Sequence, residues 1–144
     1  MTGETTASAA ADRSLELLRE RALAAMERAY APYSHFRVGA ALLASDGSVT
    51  EGCNIENASY PVGCCAERTA LGTAVTRGNR AFETIVVATE ADVPTPPCGM
   101  CRQALVEFAP RLLVVSVTRD GRENRWTLDQ LLPSAFTPSF LESR

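Results

Sequence analysis

Two short clusters of cysteines could bind a metal ion. Cys65 begins one predicted helix, and the pair Cys98 and Cys101 lies at the start of another. Two cysteines three residues apart at a helix start can hold one ion together, as in many zinc sites, and Cys65 would supply a third sulfur. Because helix N-termini carry free N–H groups and partial positive charge, both helices favour the thiolates that bind a divalent cation. The spacing therefore predicts a zinc site with three cysteine ligands.

Glu67 stands two residues beyond the first of these cysteines, where a carboxylate could move protons at the metal. Three protein ligands leave the fourth tetrahedral position of zinc to water, which is typical of a catalytic site. Glu67 is placed to take a proton from that water and pass it to a leaving group. Three thiolates leave the zinc site with a net negative charge, which weakens its effect on water. Arg68 is the candidate to withdraw charge from the sulfurs.

The elements that must position these residues alternate between strands and helices. Apolar residues three and four apart predict an amphipathic helix over residues 14–30, and Asp46-Gly47 predicts a hairpin turn. An initial hairpin followed by this alternation predicts an α/β fold with a mixed sheet of about five strands. The remaining predicted elements are strands 38–44 and 49–53, helix 66–75, strand 84–89, helix 98–108, strands 112–117 and 124–127, and a short helix from Leu128 capped by Thr127.

Length, composition and charge limit the possible functions. At 144 residues the chain fits one domain, predicted over residues 14–144 after a flexible tail of residues 1–13. The net charge of −3 argues against binding to nucleic acid or to an anionic membrane. All 14 basic residues are arginines, so Schiff-base chemistry and a Walker-type phosphate loop lack their lysine. No apolar run suits a signal peptide, and five cysteines at irregular spacing suit a reducing compartment, so a cytoplasmic location is expected.

Four segments together give the chain a family resemblance. GCNIENASYPVGCCAERTA (residues 52–70) and PCGMCRQ (97–103) carry the zinc motif, and PYSHFRVGAAL (32–42) and LLPSAF (131–136) flank it. The chain resembles the short, homotetrameric cytidine deaminases of pyrimidine nucleoside salvage, from about Leu15 to Phe136. Nucleobase deaminases share the non-ligand glutamate two residues after a ligand and the later Pro-Cys-x-x-Cys. The resemblance implies a three-layer α/β/α sandwich, one zinc ion per subunit, and hydrolysis of cytidine and 2′-deoxycytidine to the uridines and ammonia.

The resemblance also implies roles for individual residues. Glu67 would protonate N3 of cytosine and then the departing amino group, and the backbone of Ala66 would contact the pyrimidine carbonyl. Asn54 and Glu56 would bind the ribose hydroxyls; in an extended chain, positions i and i+2 face the same side and can reach one sugar. The remaining expected contacts are Phe36 near the pyrimidine, Phe136 in the site of a neighbouring subunit, and Tyr33 and Tyr60 at or near that interface.

Other interpretations of the same residues remain open. Cys53 or Cys64 could complete a structural zinc site, although adjacent cysteines do not easily point at one ion. The substrate could be another cytosine-bearing molecule, such as blasticidin S. An editing deaminase that acts on nucleic acid is disfavoured by the negative charge and the lack of a basic stripe. A zinc-stabilised binding module without catalysis is the alternative from another class.

Overall fold

A computed structural model describes residues 3–142, with side-chain burial described for residues 11–142. Two single-turn 3₁₀ segments, Tyr60–Val62 and Pro138–Phe140, lie in the connections. The helices and strands, in chain order, are α1 (Gly3–Met26), β1 (Val38–Ala44), β2 (Val49–Cys53), α2 (Ala66–Thr76), β3 (Phe82–Thr89), α3 (Gly99–Val106), β4 (Leu113–Thr118), β5 (Glu123–Thr127) and α4 (Leu128–Leu131).

The five strands form one mixed sheet in the order β2-β1-β3-β4-β5. Strand β3 runs parallel to β4, and the other neighbouring pairs are antiparallel. The parallel pair needs a crossover, and α3 lies in that connection. Gly47, with a φ of 86°, forms the turn between β1 and β2. The predicted α/β fold with a mixed five-stranded sheet is confirmed.

Helices cover both faces of the sheet. Alternate residues of the central strands, such as Ala41, Val86 and Val115, pack against α1. The residues between them, such as Leu42 and Ile85, pack against α2, α3 and α4 on the opposite face. Both faces of the sheet are therefore shielded from solvent by helices, and the three-layer α/β/α arrangement is confirmed.

Helix α1 differs from its prediction at both ends. Residues 3–13, predicted as a loose tail, continue the helix, and residues 11–13 of this extension are exposed. Alanine has the highest intrinsic helix propensity, so the alanines of this segment favour the helix. At the other end α1 stops at Met26 rather than Tyr30. The Tyr30 N–H donates to the Asn54 carbonyl at 3.0 Å, so the chain leaves the helix to pair with the segment after β2.

Two glycines let helices lie directly on the strands. A side-chain carbon at Gly39 would overlap the backbone of α1 at Ala22 and Met26. A side-chain carbon at Gly52 would overlap the backbone of the first turn of α2 at Ala66 and Ala70. Gly52 thus determines how closely the start of α2, with Cys65, Ala66 and Glu67, can approach β2.

We expect Gly52→Ala to destabilise the protein by about 1–3 kcal/mol, because the added methyl group forces α2 away from β2. Gly72→Ala is the matched control: Gly72 is exposed in the same helix, and a side-chain carbon there meets nothing within 4 Å. That change should instead stabilise the protein by about 0.5–1 kcal/mol, because alanine suits a helix interior better than glycine. Urea unfolding of both variants measures the difference, and equal effects would contradict the steric role of Gly52.

Candidate active site

Two helix N-termini bring three cysteines together. Cys65 is the N-cap residue of α2, and Cys98 is the N-cap residue of α3. Cys101 lies one turn into α3, where it is fully buried. The three sulfur atoms lie within 4.8 Å of one another. The sequence-predicted ligand set is thus a compact cluster, although its cysteines come from segments more than thirty residues apart.

The geometry of the cluster fits a tetrahedral zinc ion. The Sγ atoms of Cys65 and Cys98 are 3.9 Å apart. Two sulfurs bound at about 2.3 Å to one tetrahedral zinc would lie about 3.8 Å apart, and thiolates are ligands that zinc prefers. Among the described residues, Cys53 and Cys64 lie outside this group. Their sulfurs contact backbone carbonyls instead, those of Arg28 and Cys65 respectively.

The surroundings of the sulfurs favour the thiolate at Cys65. A hydrogen bond from the Cys101 thiol, followed by one from Arg68, lowers the pKa of Cys65 to about 5. The Arg68 Nη2 atom lies 3.9 Å from the Cys65 Sγ and 3.3 Å from the Gly63 carbonyl oxygen. The same sulfur contact and burial raise the pKa of Cys101. The cluster therefore carries negative charge before any metal arrives, and Arg68 is the cation in contact with it.

Glu67 is a buried carboxyl beside this cluster. Only 4% of the residue is exposed, although it lies in the first turn of a helix. Burial raises the pKa of the Glu67 carboxyl above its usual value, and the nearby Cys65 sulfur acts in the same direction. A carboxyl in this environment can hold a proton and release it again, which a solvated glutamate does not do near neutral pH.

A cavity of about 310 Å³ joins this cluster to the other candidate residues. Cys65, Glu67 and Cys98 line this cavity together with Asn54 and Glu56. A cavity of this size suits a small molecule. Sequence analysis identified Phe36 and Ala66 as further lining residues, and it missed Ser34, Val38, Val87, Thr89, Thr95 and Pro96.

The missed residues gave little individual signal in the sequence. Val87 and Thr89 belong to an apolar strand, whose alternation indicates which side chains share a face but not which of them meets a cavity. Thr95 and Pro96 lie in a proline-rich loop that predicts a turn and nothing more. The tertiary structure alone shows that the end of β3 lines the cavity.

The Asn54 side chain holds the loop that precedes β1. Its Nδ2 donates to the Phe36 carbonyl at 2.9 Å, and its Oδ1 accepts from the Val38 N–H at 2.8 Å. These two bonds fix the backbone on both sides of Arg37. One amide proton of Asn54 is left over from these two bonds for a ligand.

Glu56 makes a similar set of bonds to the same loop. Its carboxylate accepts from the N–H groups of Tyr33 and Ser34, at 2.8 and 3.2 Å, and from the Ser34 hydroxyl. The Ser34 hydroxyl bond lowers the pKa of Glu56, so the group is ionised at neutral pH. The loop over residues 33–38 is therefore assembled on the two polar residues that line the cavity.

Three candidate residues lie outside this cavity. Tyr33 and Tyr60 have ring centroids 5.9 Å apart and line a second cavity of about 340 Å³, which also includes Glu56. Phe136 is 58% exposed, and its ring stacks on Phe140 with centroids 5.9 Å apart. Within one chain, the structure does not bring Phe136 to the cavity.

None of the helices described over residues 3–142 is both long enough and apolar enough to cross a membrane.

Several known proteins with a similar sequence or structure are cytidine deaminases, and one relative, from Bacillus cereus, is a blasticidin-S deaminase that is 33% identical over 108 residues. A family model described as the cytidine and deoxycytidylate deaminase zinc-binding region matches residues 12–117. The cytidine deaminase of Halalkalibacterium halodurans is 48% identical over 123 residues, which cover 85% of this chain and 93% of that protein. The crystal structure of cytidine deaminase from Burkholderia pseudomallei has a TM-score of 0.81 and 49% identity, and the match covers 84% of this chain and 98% of that one. The matched residues 12–117 include the three cysteines and Glu67.

Proposed function

The chain belongs to the family of zinc-dependent cytidine and deoxycytidylate deaminases, and we propose that its cavity hydrolyses cytidine and 2′-deoxycytidine in pyrimidine salvage. The products are uridine or 2′-deoxyuridine and ammonia. The observation that carries this proposal is the buried Glu67 carboxyl, which lines one cavity together with Cys65 and Cys98 of the cysteine cluster and with the polar residues Asn54 and Glu56. A structural zinc site would need neither the carboxyl nor the cavity.

Cys65, Cys98 and Cys101 would hold the zinc ion, which when bound would act as a Lewis acid and lower the pKa of a water molecule. Glu67 accepts a proton from the attacking water and delivers it to N3 of the cytosine ring. The same carboxyl then takes the remaining proton from the hydroxyl that the water has left on C4 and passes it to the C4 amino group, so that C4=O forms, the C4–N bond breaks and ammonia leaves. The raised pKa of Glu67 supports this role, because each turnover requires the carboxyl to gain and lose a proton.

The base is held by the start of α2 and by an aromatic ring. Ala66 is the first residue of α2, so its N–H has no partner within the helix and is available to the pyrimidine carbonyl. Phe36 packs beside the ring of the base, held there by the bonds from Asn54 to the loop backbone. The Ala66 contact and the neighbouring Glu67 together direct C4 of the base towards the metal.

The sugar lies beside Asn54 and Glu56 in the cavity. There the Asn54 amide donates a hydrogen bond to a ribose hydroxyl, and the Glu56 carboxylate accepts one. No basic side chain is among the described residues that line the cavity. The ionised Glu56 would repel a phosphate group at this position. These features favour the free nucleoside over deoxycytidylate, the other substrate named by the family description.

We expect Arg68→Ala to retain zinc but to lose activity by about tenfold to a hundredfold, the usual cost of removing a partner of a metal ligand. Arg68 lies against the Cys65 sulfur and offsets the negative charge of the cluster, so its loss leaves the metal a weaker Lewis acid. Zinc content and kcat measured on the same preparation test this. An unchanged rate would contradict the assigned role, and Arg77→Ala, exposed at the other end of α2, is the control.

We propose in addition that the chain assembles as a homotetramer in the cytoplasm. Tyr33 and Tyr60 would lie at or near the interface, and Phe136 would enter the cavity of a neighbouring subunit. Large exposed aromatic groups support this arrangement, since they would otherwise face water: Tyr30, Tyr33, Tyr60, Phe136 and Phe140. Light scattering on the purified protein gives the mass of the assembly, and a monomer that deaminates cytidine at full rate would refute the role of Phe136.

One assay tests the proposed reaction. Ammonia release is measured with cytidine, 2′-deoxycytidine, deoxycytidylate, blasticidin S and single-stranded DNA. We expect turnover of the first two substrates and little of the others. Turnover of blasticidin S or of DNA in preference to cytidine would assign the site to a different substrate, and turnover of none of them would refute the function.

A further inference from the structure

Two adjacent side chains of α3, Arg102 and Gln103, bind backbone carbonyls outside their own helix. Arg102 Nε donates to the Pro97 carbonyl at 2.7 Å, and its Nη1 donates to the Leu131 carbonyl at 2.8 Å. Gln103 Nε2 donates to the Phe136 carbonyl at 2.7 Å. Neither side chain lines the cavity of the candidate active site. Their positions raise the question of what depends on these three bonds.

The Pro97 carbonyl belongs to the peptide group that leads into Cys98. The loop before Cys98 contains Pro94, Pro96 and Pro97, which have no N–H to form backbone bonds of their own. Side chains from other elements hold it instead: the Ser116 hydroxyl donates to the Thr95 carbonyl at 2.8 Å, and Arg102 donates to Pro97. The course of the chain into Cys98 is therefore fixed from outside the loop.

Cys98 needs this support more than the other two ligands. Cys101 is fully buried within α3, and Cys65 is partly buried and in contact with Arg68. Cys98 is the exposed member of the cluster, so packing contributes least to its position. A ligand that packing does not hold in place is the one from which a metal would dissociate first.

The second Arg102 bond connects this loop to an anchored element. Leu131 is the last residue of α4, a helix that begins with a capping box at Thr127. Leu128 of α4 is fully buried, and its N–H donates to the Leu112 carbonyl at 2.9 Å. Through its two nitrogens, Arg102 thus spans from α4, which is fixed to the sheet, to the peptide group that precedes Cys98.

We propose that Arg102 is a positioning residue of the metal centre, which slows zinc loss by fixing the Pro97 carbonyl, and with it Cys98, relative to α4. Its role differs from that of Arg68. Arg68 contacts a sulfur and acts through charge, whereas the bonds of Arg102 go to carbonyl oxygens and act through geometry. The inference rests on the proposed zinc site but not on the identity of the substrate.

The test is the rate at which the zinc-loaded protein releases zinc to the chromogenic chelator 4-(2-pyridylazo)resorcinol. Arg102→Met keeps much of the apolar stem and removes both bonds, so we expect release about tenfold to a hundredfold faster than in the wild type. Arg102→Lys keeps the charge but has a single nitrogen in place of two separate donors, and it should also release zinc faster.

Gln103→Ala is the matched control for zinc release. It removes a bond from the neighbouring residue of the same helix to the C-terminal segment, yet it leaves the loop before Cys98 untouched. The zinc release rate of Gln103→Ala should stay within about twofold of the wild-type rate. This control distinguishes the loss of the Pro97 bond from a general loosening of α3. The proposal would be overturned if both Arg102 variants released zinc no faster than Gln103→Ala. It would also be overturned if Arg102→Met released zinc quickly but Arg102→Lys released it as slowly as the wild type.

A second measurement separates this inference from the proposed reaction. Zinc release requires no substrate, so a zinc-binding wild type that fails to deaminate cytidine would refute the reaction and not the role of Arg102. With zinc in excess, the pH dependence of kcat in Arg102→Lys should match that of the wild type, because the charge is kept and no sulfur contact is lost. A shifted pH profile would show that Arg102 acts through charge and would overturn the positioning role.

Discussion

Replacing Glu67 with glutamine should lower kcat by about 10²–10⁴-fold while zinc content remains at the wild-type level. Glutamine has nearly the same shape as glutamate but cannot accept a proton from water or deliver one to the base. The buried site accepts the neutral amide readily, since burial already raises the pKa of the Glu67 carboxyl and favours its neutral form. We therefore expect a folded, zinc-loaded protein that binds cytidine and barely converts it.

The experiment measures kcat, zinc content and the melting temperature on the same preparation. Glu107→Gln serves as the control, because Glu107 is exposed at the end of α3 and lies outside the active-site cavity. It should leave all three quantities unchanged. A Glu67→Gln protein that binds zinc and converts cytidine at the wild-type rate would show that another group transfers the protons.

The strands and the ligand set could be predicted because each depends on local pattern. Strands β1 and β2 match their predicted bounds, since two apolar runs joined by an Asp-Gly turn leave little freedom in where a hairpin starts and ends. The cysteines could be found because sulfur ligands are few and their i, i+3 spacing is specific to metal sites. The position of Glu67 follows from its distance along the chain to Cys65.

The contacts of the 33–38 loop could not be predicted, because they join segments about twenty residues apart through side chains that suit many roles. Sequence reasoning gave Asn54 and Glu56 a single role towards the sugar. In the structure both also hold this loop, through bonds to Tyr33, Ser34, Phe36 and Val38. Their replacement would therefore disturb the Phe36 ring together with the sugar contact, and a fall in activity alone would not separate the two effects.

The start of α2 places three groups of the proposed site on three consecutive residues. Cys65 caps the helix and provides a sulfur, Ala66 offers its free N–H, and Glu67 turns inward to the cavity. A helix N-terminus suits this combination because its free N–H groups favour both a thiolate and a bound carbonyl. Gly52 makes the arrangement possible by letting this turn lie directly on β2. A substitution at Gly52 would therefore affect the proposed reaction by displacing the backbone of this helical turn.

Replacing Cys101 with serine should abolish zinc binding and reduce activity below that of Glu67→Gln. Serine is close to cysteine in size, but its hydroxyl does not ionise near neutral pH and is a poor zinc ligand beside two thiolates. The loss should be severe because Cys101 is fully buried and within 4.8 Å of the other two sulfurs, where no solvent group can readily replace it. Acid–base catalysis alone contributes about 10²–10⁴-fold, and loss of the metal removes the activated water as well.

The two remaining cysteines provide matched controls that also decide between a catalytic and a structural site. Cys53 and Cys64 have their sulfurs against backbone carbonyls, at 3.6 and 3.7 Å, so Cys53→Ser and Cys64→Ser should keep stoichiometric zinc and near-normal turnover. Metal analysis of the three serine variants tests this directly. If either control lost its zinc as Cys101→Ser does, four sulfurs would enclose the ion, no position would remain for water, and the proposed hydrolysis would be excluded.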